Sequence, residues 1–382
     1  MVFLFLKKFG GKKTKMDFLV KNAISREEEK TSPLGTMNAN IVVVGAGGAG
    51  NNSITRLMSM GGIKGAKSVI MNTDAQHLEM SKAEKKLLLG YAQTKGLGAG
   101  GFPEIGRQAA EASKNEIKDC VKDANLVFLT CGLGGGTGTG ALPVVAEIAK
   151  NSGAIVVATV TTPFDLEKAR LVKAEEGLVE LREHCDTVIV VDNNKLLEYV
   201  PDLPVDKAFG VADELIATMM KGISETITVP SLMNLDYADV KSIMTGGGVA
   251  MIGVGEAEGK NRVEEAVHDA MNHPLLDVDY RGASGALIHV TGGPGMTLAE
   301  VTDAGDAISG ALDPSAQVIW GARIDPQMEG KIRVMTIITG VKSPNIMGKR
   351  LSIGDTVPTT QTSRISAKQP PLMKELSIDY IS

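Results

Sequence analysis

From residue 40 to residue 191 the chain alternates short, β-branched apolar runs with longer segments of mixed polarity. Residues 41–44, 68–71, 126–131, 154–161 and 187–191 read as strands, and 86–89 as a further short one. Residues 51–60, 103–121, 139–150 and 166–184 read as helices, and Pro103 stands where a helix naturally starts. Strands alternating with helices imply a parallel sheet covered on both faces. Ligands of such sheets bind beyond the carboxyl ends of the strands. Residues 205–227 read as one long helix leading out of this unit, closed by Pro230. A second pattern follows, with strands at 249–254, 286–291, 317–324 and 331–340 and helices at 261–272 and 298–312. It reads as a smaller mixed α/β unit. Past residue 341 the periodicity stops. Residues 343–371 are rich in Ser, Thr, Pro and Lys and read as a linker, and residues 372–381 turn apolar again.

Composition narrows the function classes. The 382 residues suffice for two domains plus tails, and 43% hydrophobic with 22% charged residues fits a soluble globular protein. A net charge of −5 and a single tryptophan, Trp320, argue against a nucleic-acid partner. Cys120, Cys131 and Cys185 are odd in number and lack ligand spacing, so they read as reduced core thiols of a cytoplasmic protein. His77, His184, His268, His273 and His289 form no ligand-spaced cluster and read as surface or packing residues. No apolar stretch is long enough to span a membrane. The first fifteen residues place a short apolar run before five lysines, unlike a secretory signal, and Met16 is a second plausible start. Residues 1–39 are expected to be a flexible extension.

The candidate chemistry lies in three glycine loops. Gly134-Gly135-Gly136-Thr137-Gly138-Thr139-Gly140 stands between a strand and a helix start. Such a loop turns several backbone N–H groups toward one point, which suits a phosphate. A bland turn is the default for a shorter run, but five glycines in seven residues cost too much backbone entropy to stand without a function. Gly45-Ala46-Gly47-Gly48-Ala49-Gly50 satisfies the dinucleotide fingerprint, with Asp74 at the end of the next strand. Alone it suggests a Rossmann-type nicotinamide or flavin oxidoreductase. That reading explains neither the loop at 134–140 nor the third cluster, Gly96-Leu97-Gly98-Ala99-Gly100-Gly101. The three loops all follow predicted strands, so they are expected to line one pocket and hold a nucleoside triphosphate by backbone donors. No P-loop lysine is present.

The loop at 134–140 resembles the signature of the tubulin superfamily. Together with residues 45–52, Asn72-Thr73-Asp74 and the third loop it resembles the FtsZ family, the polymerising GTPases of prokaryotic cell division. The resemblance spans roughly residues 40–341 and extends to Asn234-Leu235-Asp236-Tyr237-Ala238-Asp239 and Thr291-Gly292-Gly293. It implies the tubulin/FtsZ fold: a Rossmann-like parallel-sheet GTPase domain, a long central helix and a smaller mixed α/β C-terminal domain. It also implies GTP and GDP as ligands, with Mg²⁺ or, as an alternative, K⁺. Gly47, Gly48 and Asn52, with Asp74, match the first nucleotide segments. Ala99, Gly100 and Gly101 match the loop near the terminal phosphate, and Gly134, Gly135, Gly136, Thr137, Gly138 and Thr139 the signature loop. Pro163 and Glu167 match the ribose segment. Arg170 comes one residue earlier than the family's arginine, and the family's glycine is missing from Glu167-Lys168-Ala169-Arg170. Asn193, Phe209 and Asp213 match the guanine positions, where a carboxylate accepts from two guanine donors that adenine lacks.

Asp236 and Asp239 stand three apart at a predicted helix start, where two acids ordinarily cap the helix and face its dipole. The resemblance gives them another role. It implies that they enter the nucleotide site of the next subunit and orient the attacking water, with Asn234 nearby. The domains read as an extension at 1–39, a GTP-binding domain at 40–204, a central helix at 205–230, a C-terminal activation domain at 231–342, a linker at 343–371 and a terminal peptide at 372–382. Leu376-Ser377-Ile378-Asp379-Tyr380-Ile381 alternates apolar and polar residues, as a partner-docking peptide does. In the family a comparable peptide recruits membrane tethers, and this ending is closer to archaeal members. The implied protein forms head-to-tail filaments at a midcell division ring in the cytoplasm. A tubulin-like filament for cell shape or plasmid positioning is the alternative within the superfamily.

Overall fold

The computed structural model describes residues 39–63, 65–228, 237–245, 248–272, 279–280 and 283–341. Five largely apolar runs and the shorter Lys-Lys-Leu-Leu segment form strands β1 (Ile41–Ala46), β2 (Ala66–Asn72), β3 (Lys85–Leu88), β4 (Leu126–Gly132), β5 (Ile155–Thr162) and β6 (Thr187–Asp192). They pair in parallel in the order β3-β2-β1-β4-β5-β6. All of β1 and six of the seven residues of β4 are buried, as a sheet covered on both faces requires. The covering helices are α1 (Gly47–Ser59), α2 (Ala75–Met80), α3 (Tyr91–Thr94), α4 (Pro103–Ala112), α5 (Lys114–Val121), α6 (Thr137–Asn151), α7 (Lys168–His184) and α8 (Asn194–Tyr199). Phe128, Leu129, Ile54, Leu57 and Leu142 are among the large side chains sealed between these layers.

Helix α9 (Val205–Thr228) runs 24 residues, roughly 36 Å at the rise of an α-helix. Near its start, Asp213 and Glu214 meet Ser53 and Arg56 of α1. Near its end, Glu225 lies 3.8 Å from Arg323. After it come α10 (Tyr237–Met244), β7 (Gly248–Glu258), α11 (Arg262–Met271), β8 (Gly285–Gly292), α12 (Leu298–Ser309), β9 (Gln317–Ile324) and β10 (Lys331–Thr339). The second sheet has the order β7-β10-β8-β9, antiparallel about β10 and parallel between β8 and β9. A short parallel pairing of Thr187 with Gly248 and Val188 with Val249 joins it to β6.

Several sequence expectations need correction. The helix expected over 103–121 is two helices. Ser113 leaves the helical region at φ −104° and ψ 21°, and its Oγ accepts from the Gly90 N–H at 3.1 Å. Helix α1 begins at Gly47, four residues before the expected start, and α6 at Thr137, two before. Glycine's poor helix propensity hid both starts, and tertiary contact overrides it. The third glycine loop follows the helical turn α3, not a strand. Cys131 and Cys185 are buried thiols, but Cys120 is half-exposed. Pro230, the residues 1–38 and the tail from 342 lie outside the described residues. No helix among the described residues is long and apolar enough to cross a membrane.

A cavity of about 380 Å³ lies between α9 and the second sheet, and His289 of β8 lines it. Burial and the Arg323 charge push the His289 imidazole down from 6.5 to about 4. Folding therefore favours the neutral ring. The stability this gives is complete above about pH 6.5 and is lost as pH falls toward 4, by roughly 3 kcal/mol in all. Urea unfolding at pH 7 and at pH 4.5 checks it. His289→Gln should lose less stability than wild type between the two, and equal losses would contradict the assignment.

Candidate functional site

The carboxyl ends of β1, β4, β5 and β6 open on a cavity of about 440 Å³. Its floor is the start of two helices. Gly47, Gly48, Ala49 and Asn52 line it from α1, and Gly135, Gly136, Thr137 and Gly138 from the start of α6. Neither helix has a side-chain cap at its N-terminus, and neither carries an acid in its first turn. Their first N–H groups and the positive ends of both dipoles therefore face the same space, which is the environment an anion requires.

The loops are held by buried polar contacts. Oriented by its surroundings, the Asn51 amide places its two N–H donors among the carbonyls of Gly45 and Gly47, at 3.1 Å each, and of Met71, at 3.2 Å, and its oxygen accepts from Asn72 Nδ2 at 3.1 Å. It ties the β1–α1 turn to the end of β2. The Thr73 and Thr137 hydroxyls meet at 2.6 Å and tie the β2–α2 turn to α6. Asp74 caps α2, accepting from the His77 N–H at 3.1 Å, and does not line the cavity. His77 does line it, against the expectation of a surface or packing role.

The third loop stands behind the signature loop. Ala99, Gly100 and Gly101 are not among the lining residues. A Cβ on Gly136 would come 2.8 Å from Ala99 Cβ and 3.1 Å from Gly101 N, so the two loops touch backbone to backbone. Lys173 Nζ donates to the Gly101 carbonyl at 2.8 Å and fixes this loop from α7. Gly134 and Thr139 also turn away from the cavity. Gly134 packs on the Arg170 backbone, and Thr139 on Gly177.

Thr161, Thr162, Pro163, Glu167, Arg170, Asn193 and Phe209 close the other side. Arg170 Nη1 donates to Glu167 Oε2 at 2.6 Å, so the shortened spacing still brings both side chains to the wall, joined as a pair one helical turn apart. Glu167 Oε1 accepts from the Phe164 N–H at 3.2 Å. Phe164 meets Phe209 edge to face at 5.7 Å. Asn193 is buried, and its Oδ1 has no hydrogen-bond partner among the described residues. Asp213 lies one turn beyond the lining residue Phe209 on α9, half-buried, with Oδ1 accepting from Ser53 Oγ at 2.6 Å. Burial raises its carboxyl above the usual aspartate range, against the Ser53 bond and the Arg56 charge.

Asp239 is elsewhere. It lies in the first turn of α10, which is anchored at the amino ends of the same strands. Tyr237 Oη donates to the Asn125 carbonyl at 2.9 Å, just before β4, and Thr187 Oγ1, which opens β6, donates to the Met244 carbonyl at 3.1 Å. The length of β4 separates Asn125, just before it, from Gly132, its last residue, at the cavity, roughly 20 Å of extended chain. Asn234 and Asp236 lie outside the described residues.

Sequence comparison gives these features a family context. The family model of the Tubulin/FtsZ family GTPase domain matches residues 40–201, and that of the FtsZ family C-terminal domain matches residues 248–342. The chain is 59% identical over 355 residues to Cell division protein FtsZ 2 of Methanocaldococcus jannaschii, covering 92% of each. It is 55% identical over 341 residues to Cell division protein FtsZ 2 of Haloferax volcanii, covering 87% of this chain and 85% of that one. Among solved structures, an empty FtsZ dimer of M. jannaschii matches with a TM-score of 0.74 at 47% identity, covering 92% of this chain and 100% of that one.

Proposed function

The chain belongs to the tubulin/FtsZ family of GTPases, and from that membership we propose that it polymerises head to tail in a cell-division ring, completing its hydrolytic site between two copies. The observation that carries the shared site is the separation of Asp239 from the cavity along β4. One copy cannot reach its own cavity with α10, but the carboxyl-end face of one copy can meet the amino-end face of the next. Contacts of that heterologous kind build open filaments where the rotation between copies does not close into a ring.

In this reading the uncapped starts of α1 and α6 hold the phosphates. Pro163, Glu167 and Arg170 hold the ribose, and Asn193, Phe209 and Asp213 hold the guanine. The orphaned Oδ1 of buried Asn193 supports a base donor opposite it. From the neighbouring copy, Asp239 and Asp236, with Asn234, orient a water for attack on the γ-phosphorus. The bond from that phosphorus to the β–γ bridging oxygen breaks, leaving GDP and phosphate. Among the described residues no three His, Cys, Asp or Glu side chains gather to hold a metal. Mg²⁺, or K⁺ in its place, would offset the repulsion between phosphates and incoming carboxylates.

An apolar shelf supports contact with a second copy. Leu166, Leu197 and Val205 are 79%, 57% and 72% exposed and border a hollow of about 210 Å³ that shares Phe209 with the nucleotide cavity. The terminal peptide at 372–382 is proposed to recruit a membrane-tethering partner, which would hold the cytoplasmic filament at the midcell ring. Sedimentation tests the filament reading: polymer should pellet with GTP and not with GDP or ATP. A chain that binds GTP yet stays in the supernatant at every concentration would overturn it.

Gly48 separates binding from folding. A Cβ there would have only His77 Nε2 nearby, at 3.8 Å, and would project into the cavity. Gly48→Ala should keep or raise stability, by up to about 1 kcal/mol for alanine in a helix. It should weaken GTP binding roughly tenfold by crowding the phosphates. Isothermal titration and thermal melting together check both halves.

A further inference from the structure

We propose that Ser53 is a positioning residue for guanine selection, its hydroxyl holding the Asp213 carboxylate that reads the base. The inference rests on Asp213 as the guanine reader and adds the residue that orients it. Ser53 is 3% exposed and sits on α1, one position after Asn52 on the cavity wall. Its Oγ lies 2.6 Å from Asp213 Oδ1 and 3.2 Å from the Ala49 carbonyl. A hydroxyl has one proton, and the shorter contact to the charged acceptor takes it. Asp213 is four residues after Phe209 on α9, so the two share one helix face, and Phe209 lines the cavity. Asp213 Oδ2 is then left for the base, and Oδ1 keeps a second lone pair.

Guanine presents two donors to such a carboxylate, N1–H and the exocyclic amine. Hypoxanthine presents only N1–H, and adenine offers an acceptor at N1. Reading two donors at once demands a carboxylate fixed in plane and ionised. Ser53 works toward both conditions, because its bond orients the group and acts against the dominant desolvation, as the Arg56 charge also does. It does so from the helix whose first turn faces the phosphates, so base and phosphate recognition share one rigid element. The adjacent Arg56–Glu214 ion pair fixes α1 against α9 independently of Ser53.

The test is equilibrium binding of GTP, ITP and ATP to the full chain below its assembly concentration. Wild type, Ser53→Ala, Ser53→Thr and Asp213→Asn are compared. Ser53→Ala should lower the GTP-to-ITP affinity ratio about tenfold, the scale of a hydrogen bond to a charged group, and Ser53→Thr should retain it. The ratio is insensitive to partial unfolding, because an unfolded chain binds neither nucleotide. A wild-type ratio in Ser53→Ala together with a collapsed ratio in Asp213→Asn would overturn the role of Ser53 and leave Asp213 as the reader. A wild-type ratio in Asp213→Asn would remove Asp213 as the reader, and the role of Ser53 with it.

Discussion

Asp239→Ala is expected to bind GTP as tightly as wild type and to hydrolyse it at least 100-fold more slowly. Its carboxylate stands at the amino ends of the strands, and the nucleotide cavity opens at their carboxyl ends, so the substitution cannot disturb the chain's own cavity. A side chain that orients and polarises the attacking water contributes about 10²- to 10⁴-fold. Binding by titration and phosphate release above the assembly concentration separate the two effects. If affinity fell in parallel with turnover, Asp239 would be serving the fold or its own cavity, and hydrolysis between copies would lose its main support.

Gly140→Ala is expected to destabilise the fold severely. A Cβ there would overlap the Pro103 carbonyl oxygen and come 2.7 Å from the Arg107 N–H, where α6 crosses α4. Both obstacles are backbone, so no rotamer change relieves them. Overpacking against immovable atoms should cost on the order of 3–5 kcal/mol. Thermal melting should show a midpoint lower by roughly 10 °C or more, or no folded protein at all. A midpoint within a few degrees of wild type would mean that α4 does not pack on α6 as described. The glycines of one signature loop thus divide by function. Gly140 is required because another helix leans on it, whereas Gly136 and Gly138 also line the cavity.

The architecture was legible because its signals are strong. Buried parallel strands show as near-continuous apolar runs, and a 24-residue helix shows as one long apolar periodicity. Helix starts were misplaced where glycine's propensity opposes the tertiary structure, at Gly47 and Thr137. Ser113 gave no local sign that its hydroxyl would accept from Gly90 and divide a helix. Asn51 and His77 were missed for different reasons. The Asn51 amide bridges its own β1–α1 turn to Met71 and Asn72 at the end of β2, and only folding brings those two segments together. His77 reaches the cavity because Asp74 caps α2 and sets that short helix beside Gly48. The dinucleotide fingerprint was a fair rival, because the strand order β3-β2-β1-β4-β5-β6 is also that of dinucleotide-binding sheets. What separates the two is a second uncapped helix, α6, facing the same cavity, together with the C-terminal family match.

The division of the hydrolytic site between two copies is tested most directly by one measurement. GTP turnover per subunit, with Mg²⁺, is followed against protein concentration for wild type and Asp239→Ala. A shared site requires turnover per subunit to be near zero at low concentration, to rise above a threshold, and to stay near zero at every concentration in the variant while GTP binding persists. Wild-type turnover per subunit that is constant from the lowest concentration upward would contradict it, because each chain would then hold a complete site.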